Sequence, residues 1–185
     1  MLQRQLCATV AGIMLVMTIM AAPAAWTQSK PGPESLIGNK LPDTLLNDLT
    51  GQPGRISGRT GKVVFVEFWA TWCPDCREVA PHVQKLHEQY GNKGLDIVAI
   101  SVDTKAKTVE KYMAEKKLTY PVLMGNENTR TMFRVLRIPT VYLIDKNGLV
   151  NAVYVEYGEK RAPEVDAKVK ELLGNQQGKK TGNRQ

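Results

Sequence analysis

Histidine and cysteine are scarce in this chain, two of the first and three of the second in 185 residues. A closed zinc site wants four nitrogen or sulfur ligands. His82 and His87 fall five residues apart on a predicted helix, about 140 degrees around its axis, so they do not share a face and read as exposed or rim residues. No Gly-rich phosphate loop, no Cys-x-x-Cys-His run and no internal repeat is present, so no cofactor and no metal are expected. Basic residues outnumber acidic ones, 25 to 18. Five of the 25, Arg4, Lys30, Lys179, Lys180 and Arg184, sit in ends that carry no acid, which leaves 20 against 18 between residues 31 and 174. That part has no basic face interleaved with aromatics, so no nucleic-acid partner is expected.

A long apolar run is also missing from the body of the chain. The one such stretch covers residues 6–22, after Arg4 and before the small residues Ala22-Pro23-Ala24. It reads as a signal peptide or an N-terminal membrane anchor over residues 1–25, because its length borders on the roughly 20 residues a spanning helix needs. Either way the domain is expected outside the cytoplasm, in the periplasm, with Arg4 on the inner side. Residues 26–35 read as a linker, 36–174 as one domain, and 175–185, which hold no apolar residue, as a disordered basic tail. Cys7 lies inside the apolar stretch, after Arg4-Gln5-Leu6 rather than the small residues of a lipid-attachment cysteine. Cys73 and Cys76 remain, and two cysteines in an oxidising compartment usually mean one disulfide.

Strand and helix periods alternate along the domain. Residues 63–68 and 95–102 are short apolar runs suited to buried strands. Between them Val79, Val83, Leu86 and Tyr90 recur at helical spacing up to Gly91, with Pro81 expected to bend the helix. Residues 108–118 form a lysine-rich amphipathic helix, which completes a βαβ unit with parallel strands. Residues 121–124 are extended, and Asn128 or Thr129 is expected to cap a helix reaching Leu136. Strands at 140–144 and 149–155 flank Asp145-Lys146-Asn147-Gly148, a hairpin signal. A helix at 163–173 closes the domain before Gly174, and residues 51–61 read as a loop or short edge hairpin. The sum is a single α/β domain, a central mixed sheet flanked by helices.

The cysteines stand where the first strand gives way to the first helix. Pro74 suits the first helical position, so Cys73 falls at the helix N-terminus, where free N–H groups and the dipole stabilise a thiolate. Cys76 is one turn further in, close enough to attack a mixed disulfide. An inert structural bridge is the bland reading, but so short a loop constrains the unfolded chain little. A Cys2His copper site completed by His82 or His87 is the other alternative.

The run Val66-Glu67-Phe68-Trp69-Ala70-Thr71-Trp72-Cys73-Pro74-Asp75-Cys76 resembles the active-site segment of thioredoxin-fold proteins, and with Gly61-Lys62-Val63-Val64 before it looks like the TlpA/ResA/DsbE branch of exported thiol:disulfide oxidoreductases, related to the AhpC/TSA and Redoxin group. Arg137-Ile138-Pro139-Thr140 is a second, separate match, similar to the family's cis-proline loop. The resemblance covers roughly residues 36–173. It implies a thioredoxin-like fold, Cys73 as nucleophile and Cys76 as resolving thiol. It also implies a cis Pro139 that turns the backbone of Ile138 towards the cysteines for pairing with an extended substrate. Glu67 occupies the position of a buried carboxyl beneath the pair. Desolvation there would raise its pKa and let it take the proton of Cys76, the alternative being a strand residue whose carboxyl reaches solvent at the sheet edge. Trp72 and Pro74 are expected at the docking rim, and Trp69 reads equally as core.

Two departures qualify the resemblance. Val79 stands where the branch commonly has a glutamate, and Glu78, one step earlier, is turned about 100 degrees away, so that role is not transferred. Asp75 between the cysteines disfavours a thiolate and points to a reductant. The implied task is reduction of disulfides in exported proteins, apocytochrome c among them, with a membrane thiol transporter as electron donor. A copper-binding assembly factor and a peroxiredoxin-like peroxidase are the alternatives.

Overall fold

The computed structural model describes residues 31–174. The expected signal or anchor, Cys7, the first half of the linker and the basic tail lie outside the described residues.

β-branched and aromatic side chains give β3 (Val63–Trp69), and all seven of its residues are buried. A strand with both faces covered must be central. β3 pairs in parallel with β4 (Leu95–Ser101), from Val63 opposite Leu95 to Trp69 opposite Ser101. It pairs antiparallel with β6 (Thr140–Ile144), from Val64 opposite Ile144 to Phe68 opposite Thr140. β4 continues in parallel to β5 (Val122–Met124), and β6 turns antiparallel into β7 (Val150–Val155). With β1 (Leu45–Asp48) and β2 (Pro53–Arg55), the seven-stranded mixed sheet runs β2-β1-β5-β4-β3-β6-β7. α1 (Pro74–Tyr90) crosses from β3 to β4, α2 (Ala106–Lys116) from β4 to β5, and α4 (Ala162–Gly174) ends the described chain.

Alternation along β3 divides the core. Val63, Phe65 and Trp69 pack with Val79, Val83 and Leu86 of α1, Val109 and Met113 of α2, and Val165, Val169 and Leu172 of α4. Val64, Val66 and Phe68 pack on the opposite face with Val98, Ile100, Phe133 and Tyr142.

Two elements differ from the expectation. The strands β1 and β2 form an edge hairpin whose second strand falls within the 51–61 stretch read as a loop or short edge hairpin and whose first lies upstream of it, and β1 adds antiparallel to β5. Its turn is built by Asp48, whose Oδ1 accepts the N–H of Thr50 at 2.8 Å and of Gln52 at 2.9 Å. Such short strands carry too few residues to show a period. The helix α3 (Glu127–Met132) is capped by Asn126. Asn126 Oδ1 accepts from Thr129 N at 3.0 Å and Thr129 Oγ1 accepts from Asn126 N at 3.3 Å, a capping box in which threonine replaces the usual acid or amide. α3 stops at Met132, four residues short of the expected end, and Arg134 then turns with φ of 58°. α1 continues through Pro81, which leaves the Arg77 carbonyl without its helical donor.

Lys117 ends α2 in the left-handed region, φ 55°, and its N–H reaches back to the carbonyls of Met113 and Ala114. A non-glycine residue there costs about 1–2 kcal/mol, of which the extra freedom of an unfolded glycine returns about 0.5–1. Lys117→Gly is therefore expected to stabilise the protein by about 0.5–1 kcal/mol, read as a rise in urea midpoint at unchanged m-value.

Candidate active site

Cys73 is the N-cap of α1, with extended backbone dihedrals, and Pro74 follows at the first helical position. Its Sγ accepts the backbone N–H of Cys76 at 3.2 Å, so the sulfur sits in the field of the helix N-terminus. A disulfide joins it to Cys76, with the Cα atoms 5.3 Å apart. Both cysteines are buried. The loop before β6 closes over the pair: the Ile138–Pro139 peptide is cis, and the Ile138 carbonyl lies 3.8 Å from Cys73 Sγ. Thr140 Oγ1 donates to the Arg137 carbonyl at 2.6 Å, and the N–H of Tyr157 donates to the Pro139 carbonyl at 3.1 Å. Trp72 is 64% exposed and Pro74 and Asp75 are exposed beside the disulfide, with half-buried Ile138 and exposed Leu136 across from them. Trp69 is core, 1% exposed, stacked near Tyr112 with ring centres 5.7 Å apart.

Glu67 lies on the same side of β3 as Phe65 and Trp69, the side packed under the cysteines. It is 1% exposed, and among the described residues its Oε1 has no hydrogen-bond partner. Burial pushes its carboxyl up to about 8. Its charge in turn helps raise the buried phenols of Tyr120 and Tyr157, for which desolvation is the larger cause. Val79 is fully buried and Glu78 exposed, so no second carboxyl points at the pair from that turn.

Two polar groups escaped the sequence reading. Asp103, at the end of β4, is buried and clamps the turn before Cys73: its carboxylate accepts Thr71 N at 2.9 Å, Thr71 Oγ1 at 2.7 Å and Ser101 Oγ at 2.8 Å. Nothing local marks it, since β3 and β4 pair only in the fold. His82 is the other. Rather than lying at the rim, its side chain is 13% exposed, with Nε2 2.9 Å from Asp166 Oδ1 and Nδ1 bonded by the Tyr157 hydroxyl. Both ring nitrogens are thus engaged away from the cysteines, unlike those of a copper ligand. The helical spacing was right, but it could not reveal that α4 packs over this face of α1.

Glu67 sets a pH dependence with a definite sign. The unfolded chain releases this proton near 4.5 and the folded one near 8. The stabilising contribution is complete below the lower value and is lost as pH rises towards the upper, at about 1.4 kcal/mol per pH unit. Glu67→Gln should therefore gain about 3–4 kcal/mol on the oxidised wild type between pH 5 and pH 8, measured as urea midpoints. Parallel profiles would mean that the carboxyl is not held neutral by burial.

The sequence matches the AhpC/TSA family over residues 37–153. The thiol-disulfide oxidoreductase ResA of Geobacillus kaustophilus is 36% identical over 118 residues, 63% of this chain and 68% of that protein. The thioredoxin-like protein YneN of Bacillus subtilis is 32% identical over 152 residues, 78% of this chain and 88% of the other. The crystal structure of a thiol:disulfide interchange protein of the thioredoxin family from Chlorobium tepidum superposes with a TM-score of 0.65 at 28% identity, covering 79% of this chain and 99% of that one. With its thioredoxin-like sheet and the Cys73–Cys76 disulfide at the start of α1, the chain belongs to the AhpC/TSA family as a thiol-disulfide oxidoreductase similar to ResA and DsbE.

Proposed function

We propose that this oxidoreductase works outside the cytoplasm as a reductant of disulfides in exported proteins, with Cys73 as nucleophile, Cys76 as resolving thiol and Glu67 as the base between them. The observation that carries this reading is the position of Cys73 Sγ, held by an N–H of the helix N-terminus, 3.8 Å from the Ile138 carbonyl, on a core layer that contains a buried carboxyl.

In the reduced enzyme the Cys73 thiolate attacks one sulfur of a substrate disulfide. A Cys73–substrate bond forms, and the other substrate sulfur leaves as a thiolate that takes a proton from water. Ionised Glu67 then accepts the proton of Cys76. The Cys76 thiolate attacks Cys73 Sγ, and the second substrate thiolate departs. The substrate has gained two electrons and the enzyme is left as the Cys73–Cys76 disulfide, which an external dithiol, by resemblance a membrane thiol transporter, must reduce. During the mixed-disulfide stage, the backbone of Ile138 beside Pro139 pairs with an extended substrate segment, and Trp72 and Pro74 give an apolar floor. Glu67 explains why resolution does not stall: a carboxyl titrating near neutrality is matched to moving a thiol proton. Asp75 is exposed between the cysteines, and its charge opposes a thiolate, which favours the oxidised enzyme and hence a reducing couple.

Cys73→Ser should abolish turnover of a protein disulfide, and retained turnover would sink the assignment. Cys76→Ser should accumulate the mixed disulfide. Glu67→Gln should slow resolution by about 10²-fold and remove a rise in its rate that levels off near pH 8, seen by quenched-flow trapping of the intermediate. The reduction potential, equilibrated against dithiothreitol or glutathione buffers, should fall near thioredoxin's, about −270 mV; a value near about −120 mV would make the protein a disulfide donor.

A further inference from the structure

We propose that His82 is a positioning residue for substrate pairing: acting through Tyr157, it holds the Ile138–Pro139 loop in register with Cys73. The inference rests on the reading above, in which that loop binds an extended segment of the substrate.

The contacts form an unbroken line. Asp166 of α4 meets Nε2 of His82, on α1, at 2.9 Å. The hydroxyl of Tyr157, just beyond β7, bonds Nδ1 of the same ring. The backbone N–H of Tyr157 donates to the Pro139 carbonyl at 3.1 Å, and the neighbouring Ile138 carbonyl lies 3.8 Å from Cys73 Sγ. A carboxylate facing Nε2 places the ring proton on that nitrogen, so Nδ1 is the acceptor and the tyrosine hydroxyl the donor.

Tyr157 is fully buried, its ring edge-on to Phe65 at 6.4 Å and to His82 at 5.9 Å. A buried phenol needs a partner, and His82 supplies it. The tyrosine is therefore fixed at three points: hydroxyl, ring and backbone. Glu156 before it takes φ of 52°, and this turn brings the Tyr157 N–H back onto Pro139. The β6–β7 pairing, which ends at Thr140 opposite Val155, and the Thr140 hydroxyl on the Arg137 carbonyl hold the base of the loop, while the side-chain tie from Arg137 to Glu156 at 2.9 Å is exposed and adds little. Without the hydroxyl anchor the phenol can shift on Phe65, and the loop carbonyls lose their fixed height over the disulfide.

This role discriminates between substrates. A small disulfide needs only access to Cys73, whereas a peptide needs the Ile138 backbone as well. The test compares kcat/KM for an oxidised one-disulfide peptide with that for hydroxyethyl disulfide, dithiothreitol being the reductant. Tyr157→Phe removes the hydroxyl and keeps the ring and N–H. It should lower the ratio of peptide to small-disulfide kcat/KM by roughly five- to tenfold, about one backbone hydrogen bond's worth of binding, mostly through KM. His82→Gln, whose amide reaches the Nε2 position, keeps the Asp166 contact but loses Tyr157 and should match it. His82→Asn, whose amide mimics Nδ1, keeps the Tyr157 bond and should restore the ratio.

An unchanged ratio in Tyr157→Phe and His82→Gln, or an equal loss on both substrates, overturns the proposal, as does a His82→Asn variant no better than His82→Gln. If a histidine variant fails to fold, Tyr157→Phe alone decides. Cys73→Ser is run alongside: peptide turnover surviving in that variant defeats the functional reading itself, whereas an inactive Cys73→Ser with an unchanged ratio defeats only the role of His82.

Discussion

Burial of both faces of β3 is the constraint from which the rest of the molecule follows. A strand covered on one side by α1 and on the other by the Phe133 and Tyr142 layer has no route to water for any side chain between its ends. Trp69 leaves its buried indole N–H without a partner among the described residues, and the five wholly apolar residues accept burial at no cost. Glu67 does not, and keeps its proton instead. The same strand delivers the chain at Trp69 to the sheet's carboxyl end, where α1 must begin in order to cross back, so the geometry that desolvates the carboxyl also sets the cysteines above it. In the proposed mechanism stability and reactivity are in tension at one position: the ionised form that the resolution step uses is the form the core resists.

The polar scaffold around the disulfide is assembled from distant pieces of chain. Asp103 fixes the turn ahead of Cys73 from the end of β4, and Tyr157 and Thr140 fix the loop that faces it. Asp103 and Tyr157 each tie a connection at one strand's end to the connection at its neighbour's, and Thr140 braces its own loop locally. Reacting groups in such a site need placement within fractions of an ångström, and buried hydrogen bonds between connections supply it without rigid loops of their own.

What the sequence disclosed and what it withheld divide along the same line. Local signals were legible: the apolar run of β3, the helical period of α1, Pro74 after Cys73, and the Asn-Gly turn between β6 and β7. So was the central architecture, because βαβ followed by ββα admits few arrangements. Of the β1–β2 hairpin only the stretch holding β2 was foreseen, as a loop or short edge hairpin, and β1 was not, since strands of four and three residues offer no period to read. The capping box of α3 escaped because Thr129 was weighed as a cap rather than as its partner. His82 and Asp103 were invisible for a deeper reason: both are ordinary polar residues until folding brings Asp166, Tyr157 and Thr71 to them. Periodicity says which way a side chain points, not what arrives to meet it.

The segment from Pro33 to Arg55 touches both margins of the sheet. Its first part runs beside β7, where Gly38 donates to the Val150 carbonyl at 2.8 Å and Val150 donates to Asn39 at 2.9 Å, and its second part lies along β5. The outermost strand it leaves, β2, is three residues long and begins with a proline, a poor template for another chain. One segment thus lines both margins of the sheet, and the edge it leaves is ill suited to pairing with a second copy of the chain.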